Sequence, residues 1–305
     1  MQTTLLQILP LFIIIAIGWT LVKLKIAKKN WLKPLGDFAL FVGFPSLIFG
    51  NLTKNIIDFK LVELSFIRVS LLLLGMLCLI LFVLKFVVKT KQNKATIILC
   101  FLFGNAAFLG IPLLTSINKR FNQIASINAS VMLFWVFSLG LIIVEWYTKD
   151  RPSFITIIKS LFKNPLLLSV VLGISFNYLN ISIPDVIQKP IEFIGIAVSP
   201  MVMIMIGIFI GCHPLNSIKA IKAPLFFSLF KLLIFPIIGL FLFSLNSKHE
   251  LSSIVQFAMP AAITPFAMAD RYKLNKVFIC NSIIISTLIS LITIPIMIYL
   301  FNFIN

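Results

Sequence analysis

Nearly the whole chain consists of apolar stretches about as long as a bilayer is thick, and that property alone removes most folds from consideration. Roughly 20 residues of α-helix cross a hydrocarbon core of ~30 Å. Ten such stretches run at about residues 4–22, 34–52, 63–87, 95–117, 123–147, 165–183, 190–211, 219–244, 251–269 and 277–303, numbered here as spans 1 to 10. Inside hydrocarbon every backbone N–H and C=O needs a partner from the protein itself, so each stretch has to be helical. The composition agrees: 60% of residues are hydrophobic and 11% charged, with a mean hydropathy of +1.10. The expectation is an all-α polytopic membrane protein of about ten transmembrane helices, with no soluble domain in its short connections.

Two of the spans carry helix breakers at matching places. Asn105-Ala106-Ala107-Phe108-Leu109-Gly110-Ile111-Pro112 interrupts span 4, and Pro260-Ala261-Ala262-Ile263-Thr264-Pro265-Phe266-Ala267 interrupts span 9. They lie 155 positions apart, about half of 305. The offset recurs elsewhere: Lys33-Pro34 and Pro45 in span 2 match Lys189-Pro190 and Pro200 in span 7, and Gly18 matches Gly173. The chain therefore divides into residues 1–150 and 151–305, two repeats of five helices each. Five is odd, so the second copy enters the membrane inverted. Proline removes a donor and crowds the preceding turn, so both helices must open, and their openings fall near the midplane where they can cross. Paired breaks of this kind point to the substrate site of a secondary transporter.

The net charge of +17 follows topology. Lys23, Lys25, Lys28, Lys29 and Lys33 lie between spans 1 and 2; Lys85, Lys89, Lys91 and Lys94 between spans 3 and 4; and Lys149, Arg151, Lys159 and Lys163 between spans 5 and 6. Lys219 and Lys222 follow span 7, and Arg271, Lys273 and Lys276 follow span 9. These 18 share one side, against seven on the other: Lys54, Lys60, Arg68, Lys119, Arg120, Lys189 and Lys248. The positive-inside rule makes the richer side cytoplasmic, puts both termini outside and leaves little charge for nucleic acid. The heavy use of Ile, Lys, Asn and Phe goes with an AT-rich bacterial genome, and nothing physical follows from it; the location expected is the bacterial cytoplasmic (inner) membrane. Span 1 lacks a basic leader and a small-residue cleavage site, so it reads as a retained helix.

A crossing of broken helices can hold an anion without a buried cation. The second half-helices offer their first amides near Leu113 and Phe266, where partial positive charge suits a carboxylate. Asn105 and Thr264 add hydrogen-bonding side chains, Ala106, Ala107, Gly110, Ala261 and Ala262 keep the walls thin, and Pro112, Pro260 and Pro265 make the breaks. Asn128 and Asn281 serve either the site or interhelical hydrogen bonding. Lys231 lies deep in span 8, where a charge is by default functional: it meets substrate, couples a proton, or pairs with a buried acid. Asp37, Glu145 and Asp270 near the cytoplasmic ends and Glu63, Arg68 and Glu192 near the outer ends read as boundary residues, with Asp37 and Asp270 also candidates for proton coupling. Gly207-Ile208-Phe209-Ile210-Gly211 fits a close-packing face, within the scaffold or in a homodimer.

Enzyme chemistry has no evident home. His213 and His249 are the only histidines and fall on opposite sides, and no phosphate loop of an ATP-driven pump is present. Cys78, Cys100, Cys212 and Cys280 lie in apolar surroundings without metal-type spacing, so no metal or cofactor is expected.

Phe44-Pro45-Ser46-Leu47-Ile48-Phe49, Gly104-Asn105 through Pro112, Lys163-Asn164-Pro165, Ser199-Pro200-Met201 through Gly207, and Met259-Pro260-Ala261-Ala262 occur here in one order along the chain. In this the sequence resembles the auxin efflux carrier family of bile/arsenite/riboflavin-type transporters, in a compact bacterial form that lacks the long hydrophilic loop of plant members. The resemblance implies a scaffold from helices 1, 2, 6 and 7 and a transport unit from helices 3–5 and 8–10 holding crossed helices 4 and 9. It also implies alternating access and a small organic anion, a mono- or dicarboxylate such as malate or malonate. A channel or a non-transporting receptor on the same fold is the alternative.

Overall fold

A computed structural model describes residues 2–54, 59–119, 121–148, 162–213, 215, 218–242, 248–270 and 272–304. The described residues form helices and no strand. In chain order these are α1 (Gln2–Lys23), α2 (Leu32–Phe38), α3 (Phe44–Lys54), α4 (Phe59–Val87), α5 (Lys91–Leu102), α6 (Ile111–Ile117), α7 (Phe121–Trp135), α8 (Leu141–Thr148), α9 (Pro165–Tyr178), α10 (Asp185–Cys212), α11 (Ile218–Leu229), α12 (Phe235–Leu242), α13 (Lys248–Phe257), α14 (Thr264–Met268) and α15 (Lys276–Ile304). Several starts are written locally in the sequence. The Thr90 hydroxyl accepts the Asn93 amide ahead of α5, and the Asn164 side chain accepts the Leu166 and Leu167 amides ahead of α9, where Pro165 needs no partner. Asn275 accepts the Phe278 amide and starts α15.

Among the described residues six helical stretches are long and apolar enough to cross a membrane: Lys29–Thr53, Val62–Val87, Phe121–Thr148, Asp185–Cys212, Ala220–Gly239 and Lys276–Tyr299. The other four of the ten expected spans take different forms. Span 4 divides into α5 and the helical stretch Ala106–Ile117, span 9 into α13 and the short α14, span 6 becomes the 14-residue α9, and span 1 is the 22-residue α1. Glu145, expected at a boundary, is buried in α8 and makes interactions there.

Prolines in the long spans are accommodated in two ways. Wide π-type turns occupy Ala39–Gly43, Ala106–Gly110, Val136–Gly140 and Phe230–Ile234. Three of these are followed at once by a residue and then proline: Phe44-Pro45, Ile111-Pro112 and Phe235-Pro236. A proline ring collides with the carbonyl four residues back, and the extra residue of a π turn moves that carbonyl away, so the helix bends without breaking. Pro190 and Pro200 instead lie inside the continuous α10. Pro200, the counterpart of Pro45, therefore does not interrupt span 7.

The chain packs as two compact units. The first comprises residues 1–64, 107–130 and 162–214. In it α1 lies along α10, and α9 and α10 both pack on α3. The α1–α10 contact depends on missing side chains: a Cβ at Gly18 would fall 2.2 Å from the Ile204 carbonyl oxygen, and one at Gly207 would fall 2.0 Å from that of Ile15. The Gly207–Gly211 face is thus filled by α1 of the same chain. Asn51 and Asn122 exchange amide hydrogen bonds at 2.8 and 2.6 Å, with Ser126 and Thr115 joining them. The second unit comprises residues 65–106, 131–161 and 215–305. In it α11 runs along α15, α5 along α8, and α13 against α12 and α15.

Candidate functional site: a crossing of two interrupted helices

Inside the second unit the two interrupted helices meet backbone to backbone. Gly104 and Ala261 form an isolated antiparallel bridge. The Asn105 amide donates to the Pro260 carbonyl at 2.8 Å, and the Ala262 amide donates to the Phe103 carbonyl at 2.9 Å. Proline at 260 has no amide but keeps its carbonyl, which suits it to accept only. Such pairing is what a dry interior demands, because a helix opened there must find new partners for the groups it frees.

Side chains satisfy further groups. The Ser286 hydroxyl on α15 accepts the Ala261 amide at 3.1 Å. The Gln256 side chain, from the last turn of α13, donates to the Ala106 carbonyl at 3.3 Å. Lys231, in the wide turn Phe230–Ile234, donates its ammonium to the Phe101 carbonyl. That ammonium sits 5.0 Å from the centre of the Phe101 ring and 5.9 Å from that of Phe235. Only 1% of the residue is exposed, and among the described residues no carboxylate forms an ion pair with it. Lys231, Phe101, Gly104, Phe235 and Gln256 line one small cavity beside the bridge. Asn105 is 3% exposed, and its Oδ1 is buried without a hydrogen-bond partner among the described residues.

The residues selected from the sequence fall in different places. Asn105, Ala106, Pro260 and Ala261 are at the bridge or next to it, and Thr264 and Pro265 open α14 three residues beyond it. Gly110 and Pro112 belong to the first unit, as do Asn128 and Asp37. The break in span 4 falls at Phe103–Asn105, earlier than expected, because the wide turn before Ile111 absorbs Pro112. Leu113 therefore lies inside the helical stretch that starts at Ala106, and the Phe266 amide is already bonded to the Ile263 carbonyl at 2.9 Å. Neither offers the expected first amide of a half-helix.

Asn281 donates to the Ala220 carbonyl at 3.1 Å, a tie between α15 and α11. Asp37 pairs with Lys33 and Asp270 with Lys276, both at exposed positions. Gln256 and Ser286 were not singled out from the sequence. Each lies close to a matching breaker only in space, so spacing along the chain gave no sign of them. Among the described residues no cluster of His, Cys, Asp or Glu could hold a metal ion.

Comparison with known proteins finds relatives named as transporters. An uncharacterized transporter of Methanocaldococcus jannaschii is 26% identical over 94% of this chain and 95% of its own length. A Rhizobium meliloti protein named "Putative malonate transporter" is 19% identical over 96% of this chain and 94% of its own. The family model described as "Membrane transport protein" matches residues 3–298, and the chain accordingly belongs to this family of membrane transporters, the auxin efflux carrier type.

Proposed function

We propose that this protein is a secondary carrier for a small organic anion, a mono- or dicarboxylate, which binds at the bridge between Gly104 and Ala261. The observation that carries this reading is the buried ammonium of Lys231, unpaired by any described carboxylate, beside the place where two interrupted helices exchange backbone hydrogen bonds. A positive charge left without a counter-charge in a low-dielectric interior favours an incoming anion. Asn105, with a buried oxygen lacking a partner, supplies a polar contact for the same ligand. Ala106, Ala261, Thr264, Pro260 and Pro265 form the near wall.

On this reading the ten apolar spans form two inverted five-helix repeats, both termini face outward from a bacterial inner membrane, and a transport unit of helices 3–5 and 8–10 works against a scaffold built from helices 1, 2, 6 and 7. The Rhizobium relative's name makes malonate the first substrate to try. Purified protein in proteoliposomes should show saturable malonate uptake accelerated by malonate inside the vesicles. Flux that does not saturate would assign a channel, and ligand binding without flux a receptor.

A further inference from the structure

Lys231 also bonds to the backbone of the break itself. In an unbroken helix the Asn105 amide would donate to the carbonyl of Phe101, four residues back. Here it donates to Pro260 instead, while the Phe103 amide keeps Leu99 and the Gly104 amide turns back to Leu102. The Phe101 carbonyl is left over at the end of α5, buried where water cannot serve it. The Lys231 ammonium takes it up.

We infer that Lys231 is the positioning residue of the crossing: its ammonium caps the carbonyl that α5 gives up when Asn105 crosses to Pro260, and so holds the Gly104–Ala261 bridge in register. Three features favour a cation in this post. The C-terminal end of a helix carries partial negative charge, so an ammonium there is favoured over a neutral donor. A hydrogen bond from a charged donor is roughly twice as strong as a neutral one. The Phe101 and Phe235 rings present electron-rich faces at 5.0 and 5.9 Å, stabilising the charge without a carboxylate that would cancel it. The ammonium also lies beside the bridge, since a Cβ added to Gly104 would lie 3.5 Å from Nζ and 3.9 Å from Cε. Lys231 thus bonds the freed carbonyl and lines the same cavity as the residue that pairs with Ala261.

The test reads the crossing directly, by amide hydrogen exchange of the full-length protein in lipid nanodiscs, on peptides covering residues 99–107 and 258–264. Lys231→Met should speed exchange in both segments at least tenfold while leaving peptides from Asp185–Cys212 unchanged, and Lys231→Arg should restore protection. Wild-type exchange in Lys231→Met would overturn the proposal. If Lys231→Met does not yield folded protein, Lys231→Gln keeps a donor without the charge. Exchange there should rise at least threefold, and protection equal to wild type would overturn the role given to the cation. The inference depends on the carrier reading only for its transport consequence, a fivefold or larger rise in KM for malonate in Lys231→Met that Lys231→Arg reverses. Absence of malonate uptake by the wild type would count against the substrate reading alone, because exchange needs no substrate.

Discussion

Single residues separate what holds this protein together from what waits for a ligand. Asn105 has a buried oxygen without a partner, and leaving such an atom unsatisfied costs about 1–3 kcal/mol. Asn105→Ala should therefore leave the melting temperature unchanged or raise it while cutting malonate uptake at least tenfold. Loss of both stability and uptake would make Asn105 a structural residue. Gly207 is the opposite case, because its missing side chain is filled by the backbone of α1. Gly207→Ala forces the two helices apart and should cost about 1–3 kcal/mol, read as a fall of several degrees in thermal unfolding. The Asn51–Asn122 pair belongs with Gly207: both amides are satisfied by each other, so Asn51→Ala strands a partner and should destabilise by about 1–3 kcal/mol with KM unchanged.

At the level of elements, the interrupted helices differ from kinked ones in where their backbone bonds go. Around Pro45 and Pro236 a wide turn keeps the helix continuous, whereas at Phe103–Asn105 and Ala258–Ile263 the chain leaves the helix and bonds to the other strand of the crossing. Pro260→Ala restores an amide to the second break and lets the helix from α13 propagate toward α14. The expected result is a malonate KM raised at least tenfold and slower exchange within residues 258–264, the reverse of the change expected from Lys231→Met. Wild-type kinetics would mean that the break is a kink alone. Asn275 is a simpler element-level device, a cap whose loss in Asn275→Ala should cost about 1 kcal/mol and be visible in the melting temperature.

For the whole molecule, the membrane class, the helical architecture and the family were legible in the sequence because each rests on properties that add up along the chain: apolar length, proline position and matched motifs. The position of the break in span 4 was not, because Pro112 draws attention to itself while Gly104-Asn105, the residues that leave the helix, contain no proline. Nor were Gln256 and Ser286, whose roles depend on which carbonyl or amide the other break leaves over. Orientation can be read by labelling a cysteine-free background. A cysteine at Lys273 should resist an impermeant thiol reagent in intact cells, and one at Ser247, outside the described residues, should react. The reverse pattern would turn the protein over in the membrane. The four wide turns have a consequence of another kind, one of insertion and deletion. Each holds one residue more than an α-helical turn needs, so the helices beyond them carry a rotational phase, about 100° per residue. Removing a single residue from Phe230–Ile234 would leave a good helix behind, yet it would swing Phe235 away from Phe101; in this chain a gap of one position can do more harm than most substitutions.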